Sequence, residues 1–147
     1  IEAALEGAKE IRVFNKRDAF WERALHNLET IGKAAPECRI SLNDLDDADA
    51  LRASIEGSDI LTNATRVGMK PMDDSSLITD LTMLRPGLIV TDVVYDPEET
   101  KLLREAKAAG CKTFDGLGML VEQGAASFKL YTGLDMPVAE VCDAIYR

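Results

Sequence analysis

The sequence has a single histidine (His26), a single tryptophan (Trp21) and few aromatics of any kind, 5% in all. Its cysteines number three, Cys38, Cys111 and Cys142, an odd count at wide spacing. That argues against a disulfide framework and points to a reducing, cytoplasmic setting. With one histidine and no close cysteine pair there is no structural zinc site to build. Buried, inert thiols are the expectation for all three cysteines. Basic residues are also short: 17 Lys and Arg stand against 26 Asp and Glu, a net charge of −9. Nucleic acid is a poor partner for such a chain, because phosphate affinity rests on cations. An anionic membrane surface is disfavoured for the same reason. A small anionic ligand is still allowed where a few cations cluster. No apolar run approaches the roughly 18 residues that a membrane-spanning helix needs.

What is present suits a globular protein. Hydrophobic residues make up 46% and charged residues 29% of 147 positions. That length is one ordinary domain with enough chain to bury a core. Strand-like and helix-like segments alternate. Ile1–Ala8 reads as the end of a helix and Glu10–Asn15 as a buried strand. Asp18–Ala34 is helical, with Phe20, Trp21, Ala24, Leu25, Leu28 and Ile31 at three- and four-residue steps. Cys38–Leu42 is a second strand, Asp46–Glu56 a helix stopped by Gly57, and Asp59–Asn63 a third strand. A turn-rich stretch, Ala64–Asp74, leads to a short helix over Ser76–Leu81. Leu88–Val94 is a fourth strand, Glu98–Ala109 a helix and Lys112–Phe114 a fifth strand; helices over Met119–Thr132 and Val138–Tyr146 close the chain. Alternation at this spacing predicts right-handed crossovers and a mainly parallel sheet, hence an α/β, doubly wound fold in a single domain spanning residues 1–147.

In open α/β sheets ligands sit outside the carboxyl ends of the strands. Four loops there are polar and small: Asn15-Lys16-Arg17-Asp18, Asn63 to Met69, Val93 to Pro97, and Asp115 to Met119. Each alone reads equally well as a solvated turn or a cap. The first has the most legible chemistry. A carboxylate after a strand of a dinucleotide fold accepts hydrogen bonds from ribose hydroxyls, whereas a cation there pairs with a 2′-phosphate. Lys16, Arg17 and Asp18 offer both, and Asp18 has the competing role of capping the following helix.

The strings FNKRD (14–18), ILTNATRVGMKP (60–71), VTDVVYDPEETKLLREAKAAGC (90–111) and DGLGMLVEQGA (115–125) resemble the shikimate dehydrogenase family, most of all its quinate/shikimate branch. The resemblance covers essentially the whole chain, in order. It implies a Rossmann-like cofactor-binding domain that uses NAD or NADP. It also implies hydride transfer to or from shikimate or quinate, the chemistry of the shikimate pathway to aromatic amino acids. The adenosine ribose and its phosphate side would meet Asn15, Lys16, Arg17 and Asp18. Thr65 and Arg66 would contact the cofactor, although this branch more often has Lys at position 66. The nicotinamide end would be lined by Val93, Val94, Tyr95 and Asp96, with Gly116 at the carboxamide and Met119 near the ring. Gln123 would hydrogen-bond substrate hydroxyls; on its own it reads as a helix-surface amide. Its neighbour Glu122 stands where relatives often carry an aromatic residue.

The resemblance also implies what lies elsewhere. The family's first strand and glycine-rich turn, whose amides hold the pyrophosphate at a helix N-terminus, precede Ile1. The Gly116-x-Gly118 pair is no substitute, since it follows the last strand. The family's catalytic Lys and Asp belong to a separate upstream domain, so no catalytic residue and no metal ligand is assigned here. The chain would thus be an incomplete cofactor-binding domain that needs its N-terminal domain as partner; a homodimer stays open. Two alternatives remain: a non-catalytic nucleotide-binding or interaction module of the same fold, and another dinucleotide enzyme such as a methylene-tetrahydrofolate dehydrogenase. If the missing strand is central, Glu10–Asn15 and Asp59–Asn63 should not pair with each other.

Overall fold

A computed structural model describes residues 2–145. Ile1 and Tyr146, at the outer ends of the first and last predicted helices, lie outside the described residues. The elements are α1 (Glu2–Leu5), β1 (Glu10–Asn15), α2 (Trp21–Ala34), β2 (Arg39–Asp44), α3 (Ala48–Glu56), β3 (Ile60–Asn63), β4 (Ile89–Asp92), α4 (Lys101–Ala108), β5 (Lys112–Phe114), α5 (Leu117–Thr132) and α6 (Val138–Ile145). A 3-10 turn covers Leu81–Met83. The fold is α/β, and every strand pair among the described residues is parallel. No helix among the described residues is long and apolar enough to cross a membrane.

The sequence reads as one domain; the chain divides into two compact units, Ile1–Gly57 and Ser58–Arg147. The division follows the hydrogen bonding, because the strands form two sheets, β1-β2 and β3-β4-β5. β1 and β3 are therefore not ladder partners, as the sequence predicts.

In the first unit β1 and β2 run side by side in a register that sets Glu10 opposite Arg39 and Asn15 opposite Asp44. The helices tie onto this ladder in different ways. α2 packs beside β2 but fully buries none of its residues. α3 is capped by Asp47, whose carboxylate accepts from the Ala50 amide, and it buries Leu51 and Ile55. Arg12 reaches from β1 to the Ser54 carbonyl of α3 at 3.2 Å. The core here is small: Ala4, Ala35 and Cys38, with Ala8, Ile11, Ile31 and Ile40 packed around them.

The second unit is denser. Leu88, Val90 and Ala106 are wholly inaccessible, and Val94, Leu102, Leu103, Leu117 and Val121 close around them. β4 lies between β3 and β5 and buries alternate residues, Val90 and Asp92. Thr100 caps α4 by accepting from the Leu103 amide. Gly133 ends α5 in the left-handed conformation (φ +73°), where a side chain would be strained.

Several predicted boundaries move, and three departures have legible local reasons. The helix over Ser76–Leu81 does not form. The Ser76 hydroxyl bonds both backbone groups of Ile78, and Asp80 starts the 3-10 turn by accepting from the Thr82 amide. Such short side chains offer the backbone an alternative to helical bonding. The helix predicted from Asp18 begins at Trp21, because the Asp18 carboxylate accepts from Phe20 and its carbonyl from Trp21 in a turn of its own. The helix predicted from Glu98 begins at Lys101, after its Thr100 cap.

Candidate functional site

The carboxyl end of the first unit's ladder gathers charge. Asn15 ends β1 and turns its side-chain oxygen onto the Lys16 amide at 3.0 Å. Lys16, Arg17 and Asp18 follow, all exposed. Arg17 does not extend into solvent. Its Nε meets Asp44 Oδ2 at 2.9 Å, and its guanidinium lies 4.8 Å from the centre of the Trp21 ring. Asp44 ends β2 and is fixed from the backbone side. Its Oδ1 accepts from the Asp46 amide at 3.0 Å, and Leu45 donates to the Asn15 carbonyl, extending the ladder one bond further. Asp18 uses Oδ1 for the Phe20 amide at 2.9 Å, so its turn-making role is real. Lys16 is the exposed cation of the loop whose ammonium has no partner among the described residues.

In the second unit the strand ends are joined by a buried polar network. Asp92, 3% exposed, accepts from Asn63 Nδ2 (3.0 Å) and the Val94 amide (3.0 Å) through Oδ1, and from the Thr100 hydroxyl (2.8 Å) through Oδ2. Asn63 also donates to the Val67 carbonyl and accepts from the Thr65 amide and hydroxyl. The Thr65 hydroxyl in turn receives the Val67 amide. A buried carboxylate costs several kcal/mol unless it is hydrogen-bonded, and here both oxygens are satisfied. The network fixes the Asn63–Gly68 turn against β4 and the start of α4. Gly68 is needed twice over: its φ is +102°, and a Cβ would lie 3.1 Å from the Thr100 methyl.

Gly116 closes the site for a different reason. Its backbone is unstrained, but a Cβ there would fall 2.3 Å from the Val93 carbonyl oxygen. Its amide donates to the Val94 carbonyl at 3.1 Å. The start of α5 thus rests directly on the loop after β4. Val94 is buried, whereas Tyr95 and Met119 stand 47% and 56% exposed. Thr65, Arg66 and Asp96 are exposed on the same loops. Gln123 lies one turn further along α5, exposed, with Nε2 3.4 Å from the Ser127 hydroxyl.

Each unit thus brings part of the sequence-predicted set together: Asn15 to Asp18 in the first, and Thr65, Arg66, Val93 to Asp96, Gly116 and Met119 in the second. Four residues that organise these loops are missing from the predicted set: Asp44, Asn63, Asp92 and Thr100. Asp92 had a signal, a charge inside the apolar run LIVTDVV. Thr100 could be found as a helix cap. Asp44 has no local signal, since its role depends on the register of β1 against β2. Among the described residues no group of three or more His, Cys, Asp or Glu is placed to hold a metal.

Residues 116–146 match the family described as Shikimate 5'-dehydrogenase C-terminal domain. Over 140 residues, 95% of the chain, the sequence is 47% identical to a quinate/shikimate dehydrogenase of Escherichia coli. Over nearly its whole length this chain is similar to proteins of the shikimate dehydrogenase family. It spans about half the length of the curated relatives it matches, 48% of the E. coli protein. The fold agrees with the sequence. The shikimate 5-dehydrogenase of Listeria monocytogenes, solved in complex with shikimate and NAD, is 44% identical with a TM-score of 0.92, across 98% of this chain and 50% of that one. The quinate dehydrogenase of Corynebacterium glutamicum, solved in complex with NAD, is 32% identical with a TM-score of 0.78, across 92% of this chain and 45% of that one. The likeness to both is spread over both units rather than confined to the matched C-terminal segment.

Proposed function

We propose that this chain is the cofactor-holding portion of an oxidoreductase that moves a hydride between NAD or NADP and shikimate or quinate. The observation that carries the reading is the match of 98% of this chain to the Listeria monocytogenes enzyme, whose structure holds shikimate and NAD.

The donor set fits the adenosine end of such a cofactor. Asp18 can accept from a ribose hydroxyl with the carboxylate oxygen its turn leaves over, while Lys16 and Arg17 supply positive charge beside it. In the second unit, Thr65 and Arg66 face the cofactor from the Asn63 turn. Val93, Val94, Tyr95 and Asp96 form the wall for the nicotinamide end, with Gly116 and Met119 across from it. The close packing of Gly116 on Val93 fixes that wall. When bound, the nicotinamide supplies the hydride-accepting carbon; the residues here orient it and shield one side. Gln123 is assigned to the substrate hydroxyls. That role requires its side chain to leave Ser127, a weak contact at 3.4 Å.

The groups that move the substrate proton are assigned to the family's other domain. The chain alone is therefore expected to bind NAD without turning over shikimate or quinate. Calorimetric titration with NAD, run beside a spectrophotometric assay for NADH, tests both halves. Heat of binding without NADH formation supports the reading. Turnover by the chain alone would overturn the assignment of the proton-transfer groups, and a folded chain that ignores NAD would overturn the cofactor role.

A further inference from the structure

Arg17 is the cation best placed to attract a 2′-phosphate, yet it is already engaged. Asp44 holds its Nε at 2.9 Å from the end of the neighbouring strand, and the Trp21 ring lies against its guanidinium. Asp44 is not a loose surface carboxylate. Its position follows from the Asn15–Asp44 register, from the Leu45 amide on the Asn15 carbonyl, and from the Asp46 amide on its own Oδ1. Its side chain is 28% exposed, against 69% for that of Arg17. The carboxylate stays fixed and the arginine comes to it.

We propose that Asp44 is a positioning residue for cofactor choice: by holding Arg17 across the end of β2, it withdraws that guanidinium from a 2′-phosphate and biases the site toward NAD. The inference rests on the cofactor reading above. Two physical effects act together. A 2′-phosphate, carrying about −2 charge, must compete with Asp44 for the guanidinium, and it meets the Asp44 carboxylate as a like charge. A nucleotide with a free 2′-hydroxyl meets neither obstacle. Asp18 makes a separate contribution, because its carboxylate accepts from the Phe20 amide in the turn after β1. Lys16 remains as the second cation, so removing Asp44 would leave two positive groups facing the 2′ position.

The test is binding of the adenosine halves of the two cofactors, 5′-AMP and adenosine 2′,5′-bisphosphate, to the full chain. Trp21, the sole tryptophan, reports the arginine beside it through its fluorescence. Asp44→Asn keeps an oxygen for the Asp46 amide and removes only the charge. It should raise affinity for the bisphosphate relative to 5′-AMP by roughly two- to fivefold, the scale of a partly exposed ion pair. Movement of Arg17 off the indole should change Trp21 emission with the bisphosphate and not with 5′-AMP. Arg17→Gln placed on top of Asp44→Asn should remove the part of the gain that the freed guanidinium supplies, leaving only the relief of like-charge repulsion. Asp44→Ser, with a smaller acceptor, should behave as Asp44→Asn does. An unchanged ratio in both Asp44 variants, or equal weakening of both nucleotides, would overturn the inference while leaving the cofactor reading intact. If neither nucleotide binds a wild-type chain shown to be folded by circular dichroism, the cofactor reading fails and this inference falls with it.

Discussion

In the first unit the loop charges sit in water: Arg17 meets Asp44 with 69% of its own side chain exposed. In the second unit Asp92 is 3% exposed, and three donors converge on its two oxygens. The same chemistry, a carboxylate holding loops at strand ends, is thus done once at the surface and once in the core. The difference decides what each can do. An exposed pair contributes little stability and can be exchanged for a ligand. A buried network cannot release a member without leaving another unpaired. On the proposed cofactor reading, the second unit holds a wall in place and the first chooses between ligands.

The contrast breaks most visibly at Asp92. Asp92→Ala strands Asn63 and Thr100 in the core and should cost about 3–4 kcal/mol, measured by urea denaturation. A loss below about 1 kcal/mol would mean the network is ornamental. Next comes Gly116→Ala, whose new methyl overlaps the Val93 carbonyl; a cost of about 2–3 kcal/mol is expected from forced backbone movement. Because Gly116 is needed for space and not for φ, Gly116→Asn should be worse than Gly116→Ala. A site limited by conformation alone would not show that order.

The first unit should answer in the opposite way. Arg17→Gln should change stability by less than about 1 kcal/mol yet alter nucleotide binding. Asp18→Ala should move preference toward NADP by about 1–3 kcal/mol, the range of a charge-assisted hydrogen bond. Comparing Kd for NAD and NADP checks both substitutions. Equal effects on the two cofactors would remove the first unit from the specificity account.

The smallest effect concerns pH. The hydrogen-bonded guanidinium of Arg12, with Arg39 nearby, holds the Glu10 carboxyl below its ordinary value, against slight desolvation. Its folded value lies below its unfolded one, so the linked stability is present above the usual carboxylate range and is lost as pH falls through the lowered value. The Glu10 side chain stays in contact with solvent, which screens the pair, so the change is slight. Glu10→Gln should flatten the acid limb of a pH–Tm curve and leave neutral pH unchanged.

How much of this could be read beforehand divides along the same line. Periodicity located every strand and every long helix, because apolar residues at two- and three-to-four-residue steps are a direct record of burial. It failed at Ser76–Leu81, where side-chain hydroxyl and carboxylate bonds to the backbone outcompeted a weak helical pattern. In the candidate site, the loops after β1, β3, β4 and β5 were legible as strand-end turns from their small and polar composition. Asp44 was not, because it gains its role from a residue 27 positions earlier through strand register. Asp92 was half legible, since a buried charge is visible in sequence but its three donors are not. The role of Gly116 as a close contact, rather than a flexible hinge, needed coordinates.

The most direct test of the account is an amide NMR titration of the chain with NAD. The account predicts that amides from Asn15 to Asp18 shift together with those of Val93 to Tyr95 and Gly116, while the buried Asn63–Asp92 core retains its hydrogen-exchange protection. Saturating NAD that leaves residues 15–18 unmoved, or that shifts only α6, would contradict it.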